Sequence, residues 1–109
     1  MSISYIAFPG LQPYSDECIA NSAIEIVSKY YSISYEEMYA RTRTAKILFA
    51  RHVAIYLIRA NTKYTLTYIG SLFNLKDHSS VYNAIKSIKN YMFYDGEIKR
   101  QVLNFSEQL

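Results

Sequence analysis

The hydrophobic positions of this chain recur with the period of an α-helix rather than that of a β-strand. From residue 15 onward, apolar residues return every three or four positions, and no stretch shows a trustworthy alternation of period two. The pattern predicts an all-α fold, a compact helical domain of about five to six helices that contains a helix-turn-helix.

Residues typical of helix starts separate the apolar stretches. Ser15 and the two acids after it predict a first helix that ends near Tyr31. Ser34, which is followed by two glutamates, predicts a short second helix over residues 35–40.

The stretch over residues 45–60 is apolar on nearly every side, which predicts a central helix enclosed by the others. Arg51 and Arg59 are its conspicuous cationic exceptions. Residues 41–44, Arg-Thr-Arg-Thr, precede it; we name them the basic segment and interpret them as a loop or a fraying helix start.

Residues 65–88 have the layout of a helix-turn-helix. Gly70 lies inside the first of its helices, where glycine costs about 1 kcal/mol relative to alanine, so we expect two helix backbones to cross closely there. Asn74 in the turn predicts a left-handed residue, and Asp77 predicts the N-cap of the second helix. The inward positions of that second helix are Val81, Ala84, Ile85, Ile88 and Met92.

The two ends of the chain have different patterns. Residues 1–14 hold both prolines without sustained periodicity and predict an N-terminal arm, ahead of one domain over residues 15–109. A turn at Asp95 and Gly96 predicts a final helix, whose apolar residues are Ile98, Val102, Leu103 and Phe105.

Composition and charge add a candidate surface. The 109 residues are 50% hydrophobic with only 3 Gly and 2 Pro, which is typical of a chain that folds into one domain, and the net charge is +3. Residues 39–76 hold seven cations and no acid, whereas the other five cations are outnumbered by nine acids, a net charge of −4. A solvated basic face is the ordinary interpretation, but its continuity with a helix-turn-helix favours DNA.

The seven cations are Arg41, Arg43, Lys46, Arg51, Arg59, Lys63 and Lys76. Among them Arg43, Arg51 and Arg59 are eight residues apart, about 80° of helical rotation per step. This spacing predicts that the three arginines line one side of the long helix.

Several other functions lack the residues they need. The single cysteine, Cys18, excludes an internal disulfide and a paired-cysteine metal site. No paired carboxylates, no nucleophile with a base and no metal cluster stand out, so we expect no enzyme, no catalytic residue, no metal and no cofactor. Without an export signal or a bilayer-length apolar stretch, we expect a cytoplasmic, nucleoid-associated protein.

A family resemblance rests on a small set of residues. They are ISYEEM at residues 33–38, ARHVAIYL at 50–57, Leu66, Ile69-Gly70, Phe73 and KDHSSV at 76–81. Over about residues 19–91 the chain resembles the C-terminal DNA-binding domain, domain IV, of the bacterial replication initiator DnaA. The Asp-His-Ser-Ser-Val element at this spacing after Ile-Gly is its most specific part.

The resemblance implies sequence-specific binding of double-stranded DNA at a short, partly A/T-rich site. Arg43 matches an arginine that enters the minor groove, while Arg51 and Arg59 match cations that touch the DNA backbone and base edges. Thr67 matches a contact in the bracing helix. The residues that match base-reading positions of the major groove are Asp77, His78, Ser79 and Ser80. The remaining cations, Arg41, Lys46, Lys63 and Lys76, complete the predicted DNA-binding set.

Each of these residues also has a plainer interpretation. Asp77 is first of all an N-cap, Arg51 could snorkel from a buried helix, and His78 could be an ordinary surface histidine. The tyrosines at residues 30, 31, 35 and 39 are at helical spacing, which favours packing in the core or at its rim over stacking on bases.

The chain also departs from the family. Asn74-Leu75 replaces the usual Gly-Gly of the turn, and Ser79 and Ser80 lack the methyl group of threonine. No GxxxxGK[ST] phosphate loop occurs, so we expect no nucleotide binding and no motor. The sequence predicts a regulator, an accessory origin binder or a competitor for initiator sites, such as a phage might encode. The alternative is a protein-interaction module that keeps the fold and binds a replication or transcription partner through its N-terminal arm or C-terminal helix.

Overall fold

Helices joined by short connections make up the described part of the chain. The computed structural model describes residues 15–42 and 44–109. Its elements are α1 (Asp16–Tyr31), α2 (Tyr35–Tyr39), α3 (Ala45–Asn61), α4 (Leu66–Leu72), α5 (His78–Tyr94) and α6 (Gly96–Glu107). No strand occurs within those two ranges, and the prediction of an all-α fold of about five to six helices is confirmed. The predicted N-terminal arm, residues 1–14, lies outside the described residues.

Side-chain caps begin most of the helices where the sequence predicts them. Ser15 Oγ accepts a hydrogen bond from the Cys18 amide at 3.1 Å, which starts α1. At α2, the Glu37 amide donates to Ser34 Oγ at 3.1 Å while the Ser34 amide donates to the Glu37 carboxylate at 3.0 Å, a capping box. At α4, Thr65 Oγ1 accepts a hydrogen bond from the Tyr68 amide at 3.1 Å. These hydrogen bonds satisfy amides that have no partner inside the helix.

Helix α3 is the centre of the core, because it packs against each of the other five helices. Its apolar residues are therefore buried around almost its whole circumference, as predicted. The fully buried ones are Ala50, Val53, Ala54, Ile55, Leu57 and Ile58.

Aromatic residues extend the core at one end of α3 and form part of its rim. Tyr31 is half-buried, its ring lies 5.9 Å from that of Phe49, and its hydroxyl donates to Gln101 at 3.2 Å. Tyr30 and Tyr35 are 55% and 53% exposed. The interpretation of these tyrosines as core or rim residues is consistent with this packing.

Helices α5 and α6 meet at a single residue. The Asp95 amide donates to the Tyr91 carbonyl at 2.7 Å, which ends α5, and the Asp95 carboxylate accepts from the amide of Glu97 at 3.0 Å, which starts α6. Gly96 is already the first residue of α6, so the predicted turn is shorter than expected. Leu103, one of the apolar residues of this helix, is 48% exposed.

Candidate nucleic-acid interface

The turn between α4 and α5 closes around Gly70 and Asn74. The Gly70 carbonyl accepts hydrogen bonds from the amides of Phe73 at 3.1 Å and Leu75 at 2.8 Å. Asn74 has a φ of 59°, which confirms the predicted left-handed residue. Backbone hydrogen bonds thus fix the turn, although it lacks the Gly-Gly pair that is usual in the family that the sequence resembles.

Gly70 lies in a close approach, but its neighbours differ from those expected. A Cβ atom at Gly70 would lie 3.2 Å from the Leu75 carbonyl oxygen and 3.3 Å from Val81 Cγ2. The predicted close approach at Gly70 is thus present, and the atoms that crowd it are a carbonyl of the turn and a side chain of α5. The consequence is that the turn and the first half of α5 are held tightly against α4.

The start of α5 presents polar side chains to solvent. Asp77 is its N-cap, since the carboxylate accepts from the Ser79 amide at 2.9 Å, and the hydrogen bonds from Ser79 lower the pKa of Asp77 below its ordinary value. His78, Ser79 and Ser80 are all exposed in the first turn. An imidazole and two hydroxyls at this place can donate to and accept from base edges, while the helix N-terminus favours a nearby phosphate.

A pocket of about 340 Å³ lies between the end of α2 and the turn before α5. The predicted DNA-binding residues that line it are Arg41, Arg51, Lys76, Asp77 and Ser80. The structure therefore brings part of the basic segment and part of the predicted reading group to one concave surface, although they lie more than thirty residues apart in the sequence.

Arg51 differs from the other predicted contacts because it is only 6% exposed. Its Nε donates to the Met38 carbonyl at 2.8 Å, and its Nη2 donates to the carbonyls of Glu37 and Ala40. Burial lowers the pKa of Arg51. The prediction that Arg51 and Arg59 line one side of the long helix is wrong, because the Arg51 guanidinium turns towards α2 whereas Arg59 is exposed.

His52, the neighbour of Arg51 on α3, supplies a prediction about stability. Its imidazole is half-buried, and this burial, together with the charge of Arg51, lowers the pKa of His52 below 6.5. The unfolded chain therefore binds a proton more readily than the folded one just below pH 6.5. We expect the contribution of neutral His52 to the free energy of unfolding to be complete above that pH. It is expected to be lost as the pH drops towards the lowered pKa.

Chemical denaturation at pH 7.5 and pH 5.5 measures this loss. His52→Gln, which stays neutral, is expected to lose less stability than the unsubstituted chain over this interval. His78→Gln is the matched control, because it removes an exposed imidazole and keeps His52. Equal losses in all three proteins would contradict the assignment to His52.

A second group of predicted contacts lies where α3 ends and α4 begins. Arg59 is exposed and its Nη1 donates to the Tyr64 carbonyl at 2.7 Å. Lys63 is exposed as well, and its backbone amide donates to the Asp16 carboxylate at 3.1 Å. Thr67 is exposed in the first turn of α4. All three predicted residues are accessible on this side of the helix-turn-helix.

The remaining predicted cations lie around the start of α3. Arg41 and Lys46 are exposed. Arg43, the predicted minor-groove residue, lies outside the described residues. Thr44 precedes α3 without a side-chain cap, and the first turn of α3 has no acid.

Three exposed residues on α5 that were not predicted from the sequence continue the predicted reading face. Tyr82, Lys86 and Lys89 follow Ser79 at intervals that keep them on the same side of the helix. Tyr82 and Lys89 also line a groove of about 380 Å³ together with Arg59. Their spacing of three, seven and ten residues from Ser79 was the signal in the sequence that could have identified them.

Two kinds of feature are absent from the part of the chain that the structure describes. No three or more His, Cys, Asp or Glu side chains in residues 15–42 and 44–109 are grouped so that they could hold a metal ion. Over the same residues, no helix has the length and apolar character needed to cross a membrane.

A short helix, a tight turn and a second helix with an exposed polar start define a helix-turn-helix protein, a class that binds DNA. The family of the bacterial DnaA protein helix-turn-helix matches residues 20–88. The chain belongs to this family. The match includes the whole of α3, α4 and the turn, together with the start of α5.

Similar proteins include several chromosomal replication initiator proteins DnaA. That of Chloroflexus aggregans is 31% identical over 90 residues, which are 83% of this chain and 19% of the relative. That of Streptococcus thermophilus is 38% identical over 76 residues, 70% of this chain and 17% of the relative. That of Acholeplasma laidlawii is 40% identical over 76 residues, 68% of this chain and 17% of the relative. The chain thus spans less than a fifth of the length of these relatives.

Proposed function

We propose that this chain binds a short, partly A/T-rich site in double-stranded DNA that resembles a DnaA box. In this proposal the start of α5 enters the major groove, and the basic segment reaches the adjacent minor groove. The supporting observation is the 340 Å³ pocket, where Arg41 and Lys76 lie beside Asp77 and Ser80 at the start of α5. Cations that hold the phosphate backbone therefore adjoin side chains that can read bases.

The start of α3 supports the proposal from the other side of the basic segment. Helices α1, α2 and α6 each have an acid in the first turn, which complements the helix dipole. Helix α3 has Lys46 there instead, and Thr44 gives it no side-chain cap. A DNA phosphate would supply the negative charge and the hydrogen-bond acceptors that residues 15–42 and 44–109 do not provide at this end.

The proposed role in the cell is that of a regulator, an accessory origin binder or a competitor for initiator sites. The supporting observation is that residues 20–88 match the helix-turn-helix of the bacterial DnaA protein. The proposed activity is binding rather than catalysis, and it requires neither a nucleotide nor a metal.

Selection of bound sequences from random duplex DNA tests this function. We expect one short motif with an A/T-rich end, and we expect the chain to bind that motif more tightly than a scrambled duplex of the same composition. No enrichment and no duplex binding at low salt would overturn the proposal and favour a protein-interaction module. Lys99→Ala is a matched control, because Lys99 is exposed on α6, outside the proposed interface, and its enriched motif is expected to be unchanged.

The role of Arg43 gives a prediction about base composition. A·T tracts have a narrow, electronegative minor groove that rewards an inserted arginine. We expect Arg43→Ala to weaken binding to the selected duplex about tenfold, and to cost little when the A/T-rich end is replaced by G·C pairs.

Titration of both duplexes with Arg43→Ala and with Lys46→Ala measures this difference. Lys46 is the matched control, since a phosphate contact is the same in every sequence and its loss is expected to be equal on the two duplexes. Equal losses for Arg43→Ala as well would make Arg43 an ordinary phosphate contact.

A further inference from the structure

Arg51 is the one charged side chain that is buried among residues 15–42 and 44–109. An unpaired charge is costly to bury, because the protein interior solvates it poorly, and here no carboxylate of the described residues forms an ion pair with it. The chain nevertheless keeps Arg51 at 6% exposure on its central helix. What compensates the charge is a set of backbone carbonyls.

Two of those carbonyls lie in the last turn of α2, and the third is that of its C-cap, Ala40. Nε of Arg51 donates to Met38 at 2.8 Å, while Nη2 donates to Glu37 at 3.5 Å and to Ala40. The last carbonyls of a helix have no partner within it and carry the negative end of the helix dipole. Helix α2 has no basic residue in its own last turn, so the guanidinium of α3 provides both the donors and the positive charge.

Ala40 is also the residue from which the basic segment leaves α2. Its backbone is extended, with a ψ of 154°, and its amide donates to the Glu37 carbonyl at 3.3 Å. Arg41 follows directly and, together with Arg51, lines the pocket beside the turn. A side chain that fixes the Ala40 carbonyl therefore fixes the direction in which the basic segment begins.

We propose that Arg51 is a positioning residue that holds the end of α2 and sets Arg41 and Thr42, the first residues of the basic segment, beside the start of α5. This inference rests on the proposed function, and it gives Arg51 a different role from the direct DNA contact that the family resemblance implies. Its hydrogen bonds support this role. If the guanidinium moved from α2 to a DNA phosphate, the carbonyls of Glu37, Met38 and Ala40 would lose this donor.

The first test uses the free protein. Amide hydrogen exchange of Ala40, which precedes the basic segment, and of Thr44, the last residue of the segment, reports its order, because both amides are hydrogen-bonded. We expect Arg51→Met to speed exchange at both amides about tenfold or more, while amides in the middle of α5 stay close to those of the unsubstituted chain. Unchanged exchange at Ala40 and Thr44 would overturn the proposal, whatever the chain binds.

The second test is a double-mutant cycle on the selected duplex. If Arg51 acts through the basic segment, Arg51→Met weakens binding about tenfold and Arg41→Ala then costs less than it does in the unsubstituted chain. Arg59→Ala is the matched control, because Arg59 lies at the other end of α3. Its fold-loss of affinity is expected to be the same with and without Arg51→Met, so that the two fold-losses multiply. If the fold-losses of affinity for Arg41→Ala and Arg51→Met also multiplied, Arg51 would be an independent contact and the proposal would be overturned.

Failure of the proposed function can be distinguished from failure of this inference about Arg51. If the unsubstituted chain bound no duplex, the DNA-binding proposal would fail, while the hydrogen-exchange result would still decide whether Arg51 orders the segment. Should Arg51→Met fail to fold, Arg51→Lys keeps the charge but not the planar fork of donors, and both measurements are made on it with the same expected directions.

Discussion

Raising the salt concentration from 50 to 200 mM is expected to weaken binding to the selected duplex by roughly 250- to 1,000-fold. The expectation follows from the number of cations around the helix-turn-helix. If about four to six phosphates are neutralised, and each released counterion contributes about −0.9, the logarithm of the binding constant falls with the logarithm of salt with a slope of about −4 to −5.

Titrations at four or five salt concentrations measure that slope, and two variants show where it comes from. Arg59→Ala removes one proposed phosphate contact and is expected to make the slope less steep by about one. Lys99→Ala removes an equal charge from α6, outside the proposed interface, and is expected to leave the slope unchanged. A slope near zero, or equal effects of the two variants, would contradict a binding surface localised to the helix-turn-helix.

Replacing His78 is expected to affect sequence recognition rather than overall attraction. His78 is exposed at the first position of α5, on a helix start fixed by Asp77 and by the turn around Gly70. We expect His78→Ala to cost about 1–3 kcal/mol on the selected duplex and little on a scrambled one, since a lost base contact matters only where the correct base is present.

Binding of each variant to both duplexes gives the specificity ratio that decides this point. Ser79→Thr is the informative partner, because it adds a methyl group and is expected to shift preference towards thymine at one base pair while leaving the salt slope unchanged. Tyr94→Ala is the control on the same helix, exposed at its far end. An unchanged ratio for His78→Ala would show that the start of α5 is not the reading element.

The sequence predicted most of the fold because local signals and tertiary packing agree. Ser15, Ser34 and Asp77 are caps in the structure, and each forms the hydrogen bond that its position implies. Asn74 takes the left-handed conformation that few residues other than glycine accept. Such features depend on a few neighbouring residues, so periodicity and residue type are enough to locate them.

The details that the sequence did not predict depend on residues far apart in the chain. A cation on an apolar helix can be solvated or buried, and Arg51 is buried because carbonyls 11 to 14 residues earlier accept its hydrogen bonds. In the same way, the crowding at Gly70 comes from Leu75 and Val81 only after the turn has folded back. Periodicity carries no information about such partners. The DNA-binding residues stay predictions until binding is measured.

The junction at Asp95 has a consequence for the entropy of binding. Helix α5 begins at a hydrogen-bonded turn and ends at a residue that also starts α6, so no flexible linker adjoins its far end. Helix α6 in turn packs against α1 and α3, which anchors that end in the core. Helix α5 is therefore preorganised, and in the proposed complex with duplex DNA the entropy lost in ordering this helix would be small, which favours affinity.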